Sequence, residues 1–262
     1  MVLLSERAEP LILAIETATR SGGVAVARGE EVLASRAGDA RVSHSTNLIE
    51  MIEEVLRKAG VRLSEVDLFA VAVGPGSFTG LRIGLATVKA FAAHLNRKVA
   101  GVSTLAAVAH ASGAQGEIVS LLPAGRGEVF AQRFAVEDGN IAAMDDARHL
   151  SPAAVMERYS EIERLVLAGD GARVFEKFGV PPSGRVEEKE SEPPKGETLN
   201  EGLIILDESP DLASSIALLG LRNWREGKSV APDELHAVYV RASDAEINEQ
   251  WQRQKAQQPA RN

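Results

Sequence analysis

The sequence predicts an α/β protein of two related halves, each built on a mixed sheet. Three features point there. Short strands joined by tight turns open the chain. A continuous apolar strand then feeds a glycine-rich turn and a helix, and a second strand-turn-strand pattern begins again at Glu117–Leu122. At 262 residues, 45% hydrophobic and 25% charged, the chain is long enough for two cores. The expected division is a short extension over 1–10, a first half over 11–110, a second half over 111–242 and a polar tail helix over 243–262.

Leu11–Ile15 is an unbroken apolar run, as expected of a strand covered on both faces. It ends at Glu16-Thr17-Ala18-Thr19, and turns at Ser21-Gly22-Gly23 and Gly29-Glu30 lead into Val24–Ala27 and Val32–Ala34, an antiparallel meander. An amphipathic helix follows, with caps among Ser43–Asn47 and a stop at Gly60. Leu48, Met51, Ile52, Val55, Leu56 and Ala59 recur at helical spacing, against Glu50, Glu53, Glu54, Arg57 and Lys58 on the other side. One such stripe is ordinarily core, but Ile49 widens it beyond a single sheet contact.

The centre of the chain is Asp67–Val73, a second buried strand, running into Gly74-Pro75-Gly76-Ser77-Phe78-Thr79-Gly80. A loop that leaves such a strand and opens a helix exposes free N–H groups at a positive dipole end, where anions bind. Two phosphate motifs fail on spacing. A Gly-x-Gly-x-x-Gly turn needs glycine at Thr79, and the Gly227-Lys228-Ser229 triplet lacks its upstream glycine because Arg222 stands there. Ser77 is no nucleophile elbow, since Pro75 and Thr79 occupy the required glycine positions. Spacing alone therefore leaves a phosphate-facing loop and a close-packed turn both open. The helix Phe78–Leu95 is rich in small residues, Gly80, Gly84, Ala86, Thr87, Ala90, Ala92 and Ala93, which suits a helix-on-helix contact.

Val99–Val102 reads as a strand and Thr104–Ala109 as a helix at the boundary between halves. Strands at Glu117–Leu122 and Glu128–Val136 flank Gly125-Arg126-Gly127, and Ser151-Pro152-Ala153 starts a helix. Leu165–Ala168 is a strand ending in the sharp turn Gly169-Asp170-Gly171. Residues 181–194, charged and proline-bearing, read as an exposed loop. Leu212–Glu226 is a helix, Leu235–Val240 a short extended segment and Asp244–Gln258 a polar helix.

The absence of cysteine removes disulfides, thiolate metal sites and cysteine nucleophiles. A formal net charge of -8 repels phosphate backbones, so any RNA is expected to be held by something else. No apolar run approaches the roughly 18 residues of a membrane span. The first ten residues carry Glu6, Arg7 and Glu9 instead of a signal-peptide core, which fits a cytoplasmic protein. His44, His94, His110, His149 and His236 form no metal-like spacing, and a peptidase's nucleophile and base are lacking. No metal and no catalytic residue is expected.

The stretch Gly74–Gly84, with its preceding strand and the following Leu85-Ala86-Thr87-Val88-Lys89, resembles the signature of the TsaB family, formerly YeaZ. Ile15-Glu16-Thr17-Ala18, His44-Ser45, Gly101-Val102-Ser103-Thr104-Leu105, Arg126-Gly127-Glu128-Val129-Phe130, Gly169-Asp170-Gly171 and Tyr239-Val240-Arg241 continue the resemblance in order. It implies the actin, sugar-kinase and Hsp70-like ATPase fold, with two ribonuclease-H-like halves. It also implies a non-catalytic scaffold subunit of the complex that makes N6-threonylcarbamoyladenosine at position 37 of ANN-decoding tRNAs. The partners implied are a TsaD-like catalytic subunit and a TsaE-like ATPase, with a homodimer when the chain is alone. The histidine pair that TsaD-like chains place after this boundary segment falls here on Thr104 and Val108, and Pro123-Ala124-Gly125 replaces the family's frequent Asp-Ala-Arg.

By the same resemblance Glu16, Thr17, Gly74, Gly76, Ser77, Thr79 and Gly80 are candidate phosphate-facing positions. The chain is expected to have no cofactor of its own, only a nucleotide shared with the partner. His44, Leu48, Met51, Ile52, Val55, Leu81, Leu85, Val88 and Ala92 are the expected partner interface. The competing expectation is an ATP-dependent kinase or acyl/carbamoyl transferase of the same fold, with Glu16 or Asp170 as its acidic residue.

Overall fold

Every residue of β1 (Leu11–Glu16) is buried, because helices cover both faces of the sheet it centres. Its neighbours are β2 (Gly23–Arg28), β3 (Glu31–Ala37), β4 (Leu68–Gly74) and β5 (Lys98–Ser103), in the order β3-β2-β1-β4-β5. β2 runs antiparallel to β1 and β3, while β4 pairs parallel with β1 and β5. The structure, a computed structural model, describes residues 9–41, 44–178, 203–206 and 211–240. Cap residue Ser43, loop 181–194, the tail helix and most of the N-terminal extension lie outside the described residues.

The described helices are α1 (His44–Ala59), α2 (Phe78–Leu95), α3 (Thr104–Ala111), α4 (Pro152–Arg158) and α5 (Leu212–Arg225). α1 and α2 share one face of the first sheet, where Phe69 of β4 meets Phe91 of α2 with ring centroids 6.3 Å apart. α5 lies on the other face. A row of alanines seats it: Ala25, Ala14, Ala70 and Ala100 are register partners across β2, β1, β4 and β5, and all are fully buried. Gly220 rests on this row so closely that a Cβ there would lie 2.6 Å from the Ala70 Cβ.

The second sheet contains β6 (Gly116–Gly125), β7 (Glu128–Glu137), β8 (Asn140–Ala143), β10 (Leu165–Ala168) and β11 (Leu203–Leu206), while β9 (Arg148–Leu150) also pairs with β7. Its order, β8-β7-β6-β10-β11, repeats the first sheet strand for strand, again with an antiparallel meander followed by parallel neighbours. The fold is thus two ribonuclease-H-like halves, as the sequence predicts. α3 joins them, and its Leu105, Val108 and Ala109 pack with Ile118, Leu122, Phe130 and Phe134 of the second sheet.

Four differences from the sequence reading have physical reasons. β8, β9 and β11 were not expected. β8 and β9 are only 4 and 3 residues long, too short to show a period, and β11 is an apolar run of 4. Gly169-Asp170-Gly171 opens a 3-10 helix, Asp170–Phe178, where only a turn was expected. Asp145 anchors the β8–β9 connection, accepting from Arg133 N at 2.8 Å, Arg158 Nη2 at 3.0 Å and Tyr159 Oη at 2.9 Å. Finally α5, which in sequence follows the second sheet, belongs spatially to the first.

Gly220→Val is expected to lower stability by about 1–3 kcal/mol through overpacking on the alanine row. Urea unfolding measures this, and an unchanged midpoint would show that α5 is not seated there.

Candidate functional site

In an open α/β sheet, ligands bind beyond the carboxyl ends of the strands where the strand order reverses. Here that point lies between β1 and β4. The turn leaving β1 is closed on itself, with Glu16, Thr17 and Thr19 buried. Glu16 accepts from Thr19 N at 2.7 Å and from Thr19 Oγ1 at 2.5 Å. Gly22 N donates in turn to Thr19 Oγ1 at 3.3 Å.

This turn lies directly on the first turns of α2. Thr17 Oγ1 donates to the Gly80 carbonyl at 2.8 Å, and Ser77 N donates to the Ala18 carbonyl at 2.7 Å. Ser77 caps the helix, its Oγ accepting from Gly80 N at 3.2 Å. A side chain at Gly76 would strike the Ala18 carbonyl, one at Gly80 the Thr17 carbonyl, and one at Gly84 the Thr17 hydroxyl. The glycine spacing therefore answers to backbone-on-backbone packing. Glu16, Thr17, Gly74, Gly76, Ser77, Thr79 and Gly80 do meet, but Glu16 and Thr17 are buried and engaged within the turn, and of the seven Ser77, whose Oγ caps α2, and Thr79 are exposed. Arg82, the first cation after the turn, lies over the Phe78 ring at 3.8 Å.

A segment that sequence reasoning left without a role covers the same edge. Val230 exchanges backbone hydrogen bonds with Val99 at 3.0 and 2.9 Å, and Asn223 Nδ2 donates to the Gly101 carbonyl at 2.9 Å. Leu235 is buried beside Gly101, and Val238 N donates to the Val73 carbonyl at 2.7 Å. Tyr239 stacks at 5.1 Å on Phe78. The available signals were Gly101, whose Cβ would lie 3.1 Å from Leu235 Cδ1, and Gly74, held at φ +120° with the Val238 carbonyl where a side chain would stand.

The expected partner interface needs correction. Leu48, Met51, Ile52, Val55, Leu81, Leu85, Val88 and Ala92 are each no more than 7% exposed, packed into the first core. His44 starts α1, and nothing is described of its side chain. Helical periodicity marks the buried stripe, and the exposed residues lie between. On α1 these are Ile49, at 52% exposure, with Glu50, Glu53 and Arg57. On α2 they are Thr79, Arg82, Ala86, Ala90, Ala93 and His94. α2 carries no acidic residue, whereas the carboxylates of Glu50 and Glu54 on α1 reach Arg36 of β3.

Thr104 and Val108 are both buried in α3. His110 Nδ1 lies 2.9 Å from Ser215 Oγ, tying α3 to α5, and burial pushes its pKa below the ordinary value of 6.5. No described helix is long and apolar enough to cross a membrane.

A model of the family described as TsaD: tRNA N6-adenosine threonylcarbamoyltransferase matches residues 36–190, more than half of the chain. The tRNA threonylcarbamoyladenosine biosynthesis protein TsaB of Escherichia coli K12 is 28% identical over 235 residues, covering 88% of this chain and 94% of that protein. The chain belongs to this family, as a TsaB (YeaZ) member. The TsaB protein of Bacillus subtilis 168 is 29% identical over 158 residues, 60% of this chain and 69% of that one. The solved structure of YeaZ from Pseudomonas aeruginosa superposes with a TM-score of 0.69 at 26% identity, covering 88% of this chain and 99% of that chain. The TsaB likeness thus extends over both halves.

Two outcomes test the geometry. Gly84→Ala, which in an exposed helix interior would stabilise by about 1 kcal/mol, is expected to destabilise instead by about 1–3 kcal/mol. A gain in denaturant midpoint would mean the β1 turn does not press on α2. Because the folded pKa of His110 is depressed, the unfolded chain binds the extra proton, and stability falls as pH drops below 6.5. Unfolding midpoints measured across that range are expected to depend less on pH in His110→Gln.

Proposed function

We propose that this chain is a non-catalytic scaffold subunit of the complex that makes N6-threonylcarbamoyladenosine at position 37 of ANN-decoding tRNAs. In this reading it supports a TsaD-like catalytic subunit in the cytoplasm, alongside a TsaE-like ATPase, and touches tRNA only through its partners. A nucleotide, where one takes part, is shared with the partner, and the isolated chain pairs with itself.

The observation that carries the reading is the β1 turn seated on Gly76, Gly80 and Gly84. The polar groups that a kinase or acyl transferase would aim at a phosphate are spent on the chain's own backbone. The exposed ridge of α2, made of Ala86, Ala90 and Ala93 with Arg82 and His94, allows another helix to approach closely. Ile49 adds an exposed apolar anchor on α1. The Escherichia coli and Bacillus subtilis relatives, both named tRNA threonylcarbamoyladenosine biosynthesis protein TsaB, support the pathway.

In vitro threonylcarbamoylation of tRNA with this chain included or omitted tests the role. The expected outcome is that the chain is required but inactive alone, and turnover by the chain alone would refute it. For the surface, Ala86→Glu and Ala90→Glu are expected to leave the fold intact and abolish co-purification with the TsaD-like subunit. Leu85→Glu should instead fail to fold, since it buries an unpaired carboxylate. Undiminished co-purification of folded Ala86→Glu and Ala90→Glu proteins would move the interface elsewhere.

A further inference from the structure

Residues 228–240 do more than trail away from α5. They run along β5 from its amino-terminal part to the carboxyl end of β4, held by the Val230–Val99 bridge, by Leu235 against Gly101 and by the Val238 N–H on the Val73 carbonyl. Leu235 and Ala237 pack with the first core, whereas Val240 packs with the cluster of Leu105, Val108, Ile118, Leu122, Phe130 and Phe134. One short extended stretch therefore touches both halves. Its Val238 also lies over the carboxyl end of β4, where a ligand of an open α/β sheet would sit.

We propose that this segment is a built-in occupant of the crevice, a strap that closes it to a nucleotide and fixes the two halves in one relation. Two glycines make room for it. A side chain at Gly74 would strike the Val238 carbonyl, and one at Gly101 would press on Leu235. A nucleotide lying across Val73 and Gly101 would have to displace a backbone hydrogen bond and a buried leucine, and the halves cannot rock about α3 while Leu235 and Val240 are both seated. The strap also carries Tyr239 against Phe78, which supports Arg82, so its position sets the amino-terminal end of the exposed α2 ridge.

The test is hydrogen–deuterium exchange on the full chain alone, with and without millimolar Mg-ATP, comparing the natural protein with Val238→Pro. The proline removes the N–H that bonds Val73 and leaves a largely exposed position otherwise free of packing demands. Exchange is expected to rise about tenfold together in Leu68–Gly74 and in Thr104–Ala111, one reporter on each side of the junction. Mg-ATP should protect neither segment in the natural protein. Faster exchange confined to Leu68–Gly74 would reduce the strap to a local cover, and protection of Val73 or Gly101 by Mg-ATP would show the crevice open. Tyr239→Ala, which removes only the stack on Phe78, is the milder variant should the proline prevent folding, with the same paired rise expected at smaller amplitude. No partner protein enters this measurement, so its failure leaves the scaffold reading standing, and the converse holds.

Discussion

The contact between two pieces of backbone, the turn after β1 and the first turns of α2, governs the first half. Main-chain atoms cannot approach this closely past a Cβ, and three glycines one helical step apart remove it where Thr17 and Ala18 arrive. The contact fixes the axis of α2 against the sheet, which determines the face of α2 left to solvent. It also consumes the Thr17 hydroxyl and the Ser77 N–H, donors that could otherwise have faced an anion. The exposed ridge of α2 and the closed turn after β1 are thus two results of one packing solution.

The second half repeats the solution in outline. Gly169 and Gly171 follow β10 much as Gly74 ends β4 and Gly76 follows it, and they lie against Leu121 and Leu122 of β6, the counterpart of β1, just past its pairing with β10. Leu121 and Leu122 offer no hydroxyl equivalent to Thr17, and the chain passes into a 3-10 helix instead of a long α-helix. Among the described residues the repeat therefore preserves strand order and the glycine turn, with a 3-10 helix where the first half has α2.

Much of this was legible before the structure. The all-apolar strands, the glycine turn, Phe78–Leu95 as a helix and the repeat follow from burial and spacing, and α2 and β10 fall where the residues place them. The stripe of α1 and α2 expected to meet a partner is core instead, for a definite reason. Periodicity locates a stripe without saying whether sheet or partner covers it, and only exposures such as that of Ile49 against Val55 decide. The role of Leu235–Val240 was illegible because its hydrogen bonds go to residues far away in sequence, and its only traces were glycines in β4 and β5. Short β8 and β9 are defined by their pairing with β7 and carry too few residues to announce themselves.

The alanine row has a consequence for how the protein is made. Ala14, Ala25, Ala70 and Ala100 are synthesised early, yet the helix that covers them follows the entire second sheet. A nascent first half therefore emerges with one face of its sheet bare, exposing apolar surface until α5 leaves the ribosome. The two halves form a repeat by strand order without being separable modules. A cut at the repeat boundary would strand the first sheet without its cover.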